Sequence, residues 1–201
     1  MNADDIKLGN IASITSGLVV KRKQVIKQSE LVKKYRVITL KSLEQSGYLN
    51  MEYLEELKSR EILDGKYITR LGDIIVRLSS PNTAVTIGEH ETGLIISSLF
   101  VVVRLSSNVI LPEYLGIFLN TEQIKRIYAK SSAGSVMQII RTSVLKDINV
   151  KAVSTENQEK IIGINKLILR EKKLLEELID KKNKYHSIII NKIFKDRLLS
   201  H

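Results

Sequence analysis

Apolar residues follow two rhythms along this chain, and the change between them falls near Ser154. Before that point the apolar runs are short and rich in β-branched residues. Residues 17–21, 35–40, 73–78, 84–87 and 94–105 are predicted as strands on this pattern. Turn-forming residues separate them, at Ser46-Gly47, Asp64-Gly65, Leu71-Gly72-Asp73, Ser80-Pro81-Asn82, Glu91-Thr92-Gly93 and Ser106-Ser107-Asn108. Helices fall between and after the strands. Residues 51–60 carry Met51, Leu54 and Leu57 at helical spacing. Pro112 suits the first turn of a helix through Tyr114, Leu115, Phe118 and Leu119, and a further helix is predicted over 121–129.

After Ser154 the rhythm lengthens to that of one long helix. Thr155 and Gln158 match a capping box, and Glu156 and Glu159 stand where a helix dipole favours acids. No proline follows, and the only glycine is Gly163. Ile161, Ile164, Ile168, Leu175, Leu178, Tyr185, Ile189 and Ile193 recur at steps of three, four or seven, with Lys and Glu between them. That is a coiled-coil seam with Glu171 and Lys182 as polar interruptions. A helix of some forty residues would measure about 60 Å, too long to bury both ends against a domain of this size. It therefore needs a partner helix, most simply from a second copy of the chain; the alternative is a hairpin bend near residues 181–184. The expected fold class is α+β: a mixed α/β domain over 1–153, then a long C-terminal coiled-coil helix over 154–201.

Composition removes several function classes. A chain of 201 residues can bury a core. Its longest apolar run, residues 99–103, falls far short of the roughly 18 residues a bilayer span needs. The acidic N-terminus has no apolar stretch behind it, so no signal peptide is expected. The absence of cysteine excludes disulfides and thiolate metal sites and fits a reducing cytoplasm. The net charge of +10 favours a polyanionic partner, nucleic acid or an anionic membrane surface. Its distribution sharpens this. Residues 21–36 hold seven bases (Lys21, Arg22, Lys23, Lys27, Lys33, Lys34 and Arg36) and one acid, Glu30. Residues 123–146 hold five (Lys125, Arg126, Lys130, Arg141 and Lys146) and no acid. Each cluster could neutralise several phosphates.

Catalytic constellations are missing from the sequence. His90, His186 and His201 have no metal-ligand spacing. Gly65-Lys66 is followed by Tyr67, not by the Ser or Thr of a phosphate loop, and no Gly-x-Gly occurs. Glu56-Leu57-Lys58, the most nuclease-like fragment, lies in a helical pattern without a preceding Pro-Asp and is expected to be helix surface. The chain is expected to be non-catalytic.

The order of local patterns resembles the specificity (S) subunits of type I restriction-modification systems. Leu8-Gly9-Asn10-Ile11-Ala12 looks like the family's opening, and Tyr35-Arg36-Val37-Ile38 with Ser46-Gly47-Tyr48-Leu49 like its next strand and turn. Leu71-Gly72-Asp73-Ile74-Ile75 is similar to its Gly-Asp-Ile/Leu strand, and Leu111-Pro112-Glu113-Tyr114-Leu115 to its Pro-x-Tyr-Leu helix start. Ala133-Gly134, then Leu145-Lys146-Asp147-Ile148-Asn149-Val150, resembles its Gly turn and final strand. Glu156-Asn157-Gln158-Glu159-Lys160-Ile161 resembles the opening of its conserved helix. Two features depart from the pattern. Lys151-Ala152-Val153-Ser154 replaces the usual proline-rich lead-in to the helix, and the chain has room for one recognition domain and one helix where the family carries two of each.

The resemblance implies a target recognition domain that binds double-stranded DNA, and a homodimer through antiparallel long helices standing in for a full subunit. It implies methyltransferase partner subunits, with the restriction subunit as a further partner, and S-adenosylmethionine bound by the methyltransferase and not by this chain. Two identical readers related by a two-fold axis would read an interrupted palindrome. Lys21, Arg22, Lys23, Lys125, Arg126 and Lys130 are expected at phosphates, and Arg77, Ser79, Ser80, Asn82, Gln138 and Arg141 at base edges. Tyr35, Tyr48, Tyr67 and Tyr128 are expected in the core or at its rim. The competing reading is a coiled-coil adaptor or regulatory protein with a protein-binding head, for which the basic loops are incidental.

Overall fold

The computed structural model describes residues 4–25, 30–44, 46–132 and 139–198. The chain opens with β1 (Asp4–Lys7), one turn of helix α1 (Leu8–Ile11) and β2 (Ala12–Ser16). It continues through β3 (Lys33–Ile38), β4 (Glu55–Ser59), β5 (Ile74–Arg77), β6 (Ala84–Thr86), β7 (Ile95–Ile96) and β8 (Phe100–Leu105). Helices α2 (Pro112–Leu119), α3 (Glu122–Ser132) and α4 (Thr142–Lys146) follow, then β9 (Asn149–Ala152) and α5 (Thr155–Leu198). Three sheets result: an antiparallel ribbon of β1 with β9, a four-stranded sheet in the order β2-β8-β5-β6, and a three-stranded sheet in the order β4-β3-β7.

The unbroken apolar run in β8 is explained by its place inside the four-stranded sheet, where both faces are covered. Val101 and Val103 point to one side, with Ile74 and Val76 of β5, into a cluster that includes Tyr114, Leu115 and Tyr128 from α2 and α3. Phe100, Val102 and Ile75 point to the other, against Ile38 and Ile96. The three-stranded sheet closes a third cluster around Tyr35, Val37 and Leu57. At the margin of the main core, the Arg104 guanidinium forks onto both carboxylate oxygens of Asp73 at 2.9 and 3.0 Å and also donates to the Ile68 carbonyl. Asp73 is buried and also accepts from the Arg70 amide.

Three expected elements take a different form. Residues 17–21 are not a strand: Leu18 makes one parallel bridge to Ser97, and residues 20–22 form a 3-10 turn. Gly17 packs so tightly over the Ser97 backbone that a Cβ would lie 2.1 Å from its carbonyl oxygen, and the chain turns away there. Residues 51–60 are not a helix. A 3-10 turn at Met51–Tyr53 leads into β4, which pairs antiparallel with β3 and buries Leu57 and Ser59 on alternate positions. Long-range pairing outweighs the helical preference of Glu, Leu and Lys here. Residues 94–105 divide at a turn on Ser98 and Leu99, so β7 joins β3 while β8 joins β2 and β5.

α5 runs without a break through residues 181–184, which removes the hairpin alternative. Its start also differs from the capping-box expectation. The Ser154 hydroxyl accepts from the Asn157 amide, and Gln158 is fully buried. Gln158 accepts from the Leu111 amide at 2.8 Å and donates to the Val109 and Val153 carbonyls, so its side chain ties the helix start to the segment before α2. The first two turns of α5 accordingly belong to the globular unit, and the division into two compact units falls between Ile162 and Gly163. No helix among the described residues is long and apolar enough to cross a membrane.

Breaking the Asp73–Arg104 fork tests this packing. Arg104→Met strands a buried carboxylate and should lower unfolding free energy by about 3–5 kcal/mol in urea titrations. Lys160→Ala removes only an exposed one-turn pair with Glu156 and should cost less than about 0.5 kcal/mol.

Candidate nucleic-acid interface

Of the side chains expected to touch DNA, the β5–β6 hairpin gathers the largest group. Its turn closes through the Asn82 amide on the Ser79 carbonyl (2.9 Å) and the Arg77 amide on the Thr83 carbonyl (2.9 Å). Asn82 takes a left-handed conformation (φ 54°), which asparagine tolerates better than most residues. Its side-chain nitrogen donates to the Leu78 carbonyl at 2.9 Å. The same nitrogen also donates to the Arg77 carbonyl at 3.4 Å, so base reading through it would compete with these backbone bonds. Arg77 Nε donates to Ser79 Oγ at 3.1 Å, and Ser80 stands exposed at the tip.

α2 and α3 hold this hairpin from one side. Lys125 Nζ donates to the carbonyls of Pro81 (2.6 Å) and Asn82 (2.7 Å). Asn120, at the end of α2, pairs with the Ala84 backbone in both directions, accepting at 2.8 Å and donating at 2.7 Å. From the other side, Ile139 bridges Ser79 and the Ile140 amide donates to the Leu78 carbonyl, which brings exposed Arg141 next to the hairpin. Gln138 lies outside the described residues.

Lys125 therefore occupies a different place from Arg126 and Lys130, which are exposed on α3. Burial pulls the Lys125 ammonium down to about 8, with Glu122 acting in the opposite direction. To reach a phosphate it would first have to release two carbonyls.

Lys21, Arg22 and Lys23 lie in a turn beside the three-stranded sheet. Their turn is tied to the end of β4, where the Arg60 guanidinium donates to the Arg22 carbonyl and the Val25 amide to the Lys58 carbonyl. Lys21 and Arg22 are exposed, while Lys23 is half-buried and paired with Glu61, whose carboxyl it holds below the ordinary range. Lys58 and Arg60 thus join the basic cluster, as sequence reasoning missed by reading β4 as helix. Only Leu57 is apolar among residues 55–59, so the segment carries no alternation that would have marked a strand. Tyr35 and Tyr128 are buried, and the Tyr35 hydroxyl accepts from the Leu63 amide, so neither offers a stacking face. Among the described residues no group of three His, Cys, Asp or Glu could hold a metal ion.

Among its described residues the second unit is helix alone. Every apolar residue of its expected seam is exposed: Ile164 60%, Ile168 45%, Leu175 52%, Leu178 48%, Tyr185 63%, Ile189 38% and Ile193 53%, with Ile161 just before it at 37%. Such a stripe along one helix is what a partner helix buries.

No protein-family profile matches this sequence, and no curated protein matches it. Solved structures do share its fold. One chain, from a structure on complex assembly and conformational transition of the type I R-M system, superposes with a TM-score of 0.67 at 14% identity, covering 88% of this chain and 44% of its own. The HsdS subunit from Thermoanaerobacter tengcongensis superposes with a TM-score of 0.65 at 14% identity, covering 92% of this chain and 46% of its own. The fold is that of a type I restriction-modification S subunit, in a chain spanning a little under half the length of those it matches.

The Lys125 site carries a pH signature. An unfolded chain holds this lysine near 10.5 and the folded one near 8, so the folded state sheds the proton first. Stability should then rise with pH between those values, with the cost of the buried charge fully present below 8. Urea titrations from about pH 7 to about pH 10 should show wild type gaining on Lys125→Met. A constant difference between the two proteins would contradict this.

Proposed function

We propose that this chain is a non-catalytic, sequence-specific DNA-recognition subunit of a type I restriction-modification complex, in a half-length form that works as a homodimer. The observation that carries the reading is the match of nearly this whole chain to a little under half of an S-subunit fold, ending in a helix with an exposed apolar stripe. Two copies joined through antiparallel α5 helices supply the two recognition domains of a full subunit. Each domain reads one half-site, and the helices set the gap between them, so the target is an interrupted palindrome.

Exposed bases on two surfaces, Lys21, Arg22 and Arg60 with half-buried Lys58 on one and Arg126 and Lys130 on the other, supply phosphate contacts. The hairpin residues Arg77, Ser79 and Ser80, with Arg141 beside them, supply base-edge contacts. The dimer brings methyltransferase subunits, and in a restricting complex the restriction subunit, to the cytoplasmic DNA it reads. S-adenosylmethionine binds to the methyltransferase.

Two measurements test this reading. Light scattering at micromolar concentration should give twice the mass of one chain. Retention on duplex DNA should fall steeply with salt, and Lys21→Ala/Arg22→Ala should reduce the slope of log affinity against log salt by about two. A protein that ignores DNA at low salt is the adaptor of the competing reading.

A further inference from the structure

The polar interruptions in the α5 stripe constrain how two copies can meet. This inference rests on the homodimer reading above. In heptad terms Ile168, Leu175, Lys182 and Ile189 occupy a positions, and Ile164, Glu171, Leu178 and Tyr185 occupy d positions. An in-register parallel pair stacks a on a and d on d. It would press Lys182 against Lys182 and Glu171 against Glu171 in the middle of the seam, and like charges there are destabilising.

An antiparallel pair stacks a on d, and one alignment satisfies every position from Ile164 to Ile189, leaving only Ile161 opposite Lys192 at the two ends. With the two-fold axis between residues 176 and 177, Leu175 meets Leu178, Ile168 meets Tyr185 and Ile164 meets Ile189. The same alignment sets Glu171 opposite Lys182. A shift of one heptad in either direction sets Glu171 opposite Leu175 or Ile189, and Lys182 opposite Ile164 or Leu178. Each charge would then be buried against an aliphatic side chain without a counter-ion, which costs far more than burying the two together. The flank of the central alignment is partly apolar, with Leu174 beside Lys181. Leu167 and Ile188, 68% and 65% exposed, stand at g positions that fall side by side in it.

We infer that two copies of α5 pair antiparallel about an axis crossing the helix between Glu176 and Glu177, with Glu171 of each copy ion-paired to Lys182 of the other. The pair acts chiefly as a register device: it adds little net stability but makes every other alignment worse. One misaligned heptad would displace one recognition domain against the other by about 10 Å, so the register fixes the spacing that the dimer can read.

The absence of native cysteine makes the test clean. A disulfide needs Cα atoms within about 7 Å, whereas positions 168 and 185 of one helix are about 25 Å apart. Under mild oxidation Ile168→Cys/Tyr185→Cys should form a covalent dimer, and neither single variant should. Cross-linking by the single variants would mean a parallel pair, and a dimer by light scattering that fails to cross-link would mean another register. Either result overturns the inference. A monomer by light scattering would instead remove the homodimer reading itself, and this inference with it.

Charge exchange tests the pair without cysteines. Glu171→Lys and Lys182→Glu should each weaken dimerisation about tenfold or more, and the combined exchange should return it to within about threefold of wild type. A combined variant no better than the single ones overturns the pairing.

Discussion

A lone helix cannot bury its own apolar stripe, and most of this protein's organisation follows from that constraint. The part of α5 beyond Ile162 forms a compact unit consisting of one helix, so no second element within that unit can cover Ile164, Ile168, Leu175 and Leu178. Aliphatic side chains left about half exposed along several turns are costly in water unless something covers them. Between Ile164 and Ile189 the same stripe carries one acid and one base at core positions, placed symmetrically about its centre. A self-complementary pattern of that kind is what an isologous interface between identical chains requires.

The globular unit works under the opposite condition. β8 is buried on both faces and holds β2 and β5 on its two edges, so the hairpin that continues from β5 starts on a rigid base. Lys125 and Asn120 then anchor the outer half of that hairpin to the helices beside it. On the proposed reading the hairpin side chains gain from such a support, because discrimination between bases depends on donor and acceptor positions that do not drift. Lysines and arginines that neutralise phosphate need no such precision, and Lys21, Arg22, Arg126 and Lys130, proposed for that role, are exposed.

Much of this was legible in the residues. The strands with dense β-branched content, β3, β5, β6 and β8, the helix beginning at Pro112, and the long final helix all follow from periodicity. The failures share one cause: local preference was overruled by contacts distant in sequence. β4 is built from Glu, Leu and Lys, good helix formers, and is a strand only because β3 lies beside it. Gln158 matched a local cap but serves a tertiary contact with Val109 and Leu111. Lys125 looked like one more surface charge in a basic run, yet its ammonium lies against two backbone carbonyls more than forty residues away. No spacing rule within the chain could have shown that partnership.

The central claim is that two identical readers, held by one symmetric helical seam, act on DNA together. Selection from a pool of randomised duplexes by the purified chain tests it most directly. The account predicts enrichment of a single motif with two inverted half-sites separated by a fixed number of unspecified base pairs. A continuous or asymmetric motif, or half-sites at variable spacing, would contradict it.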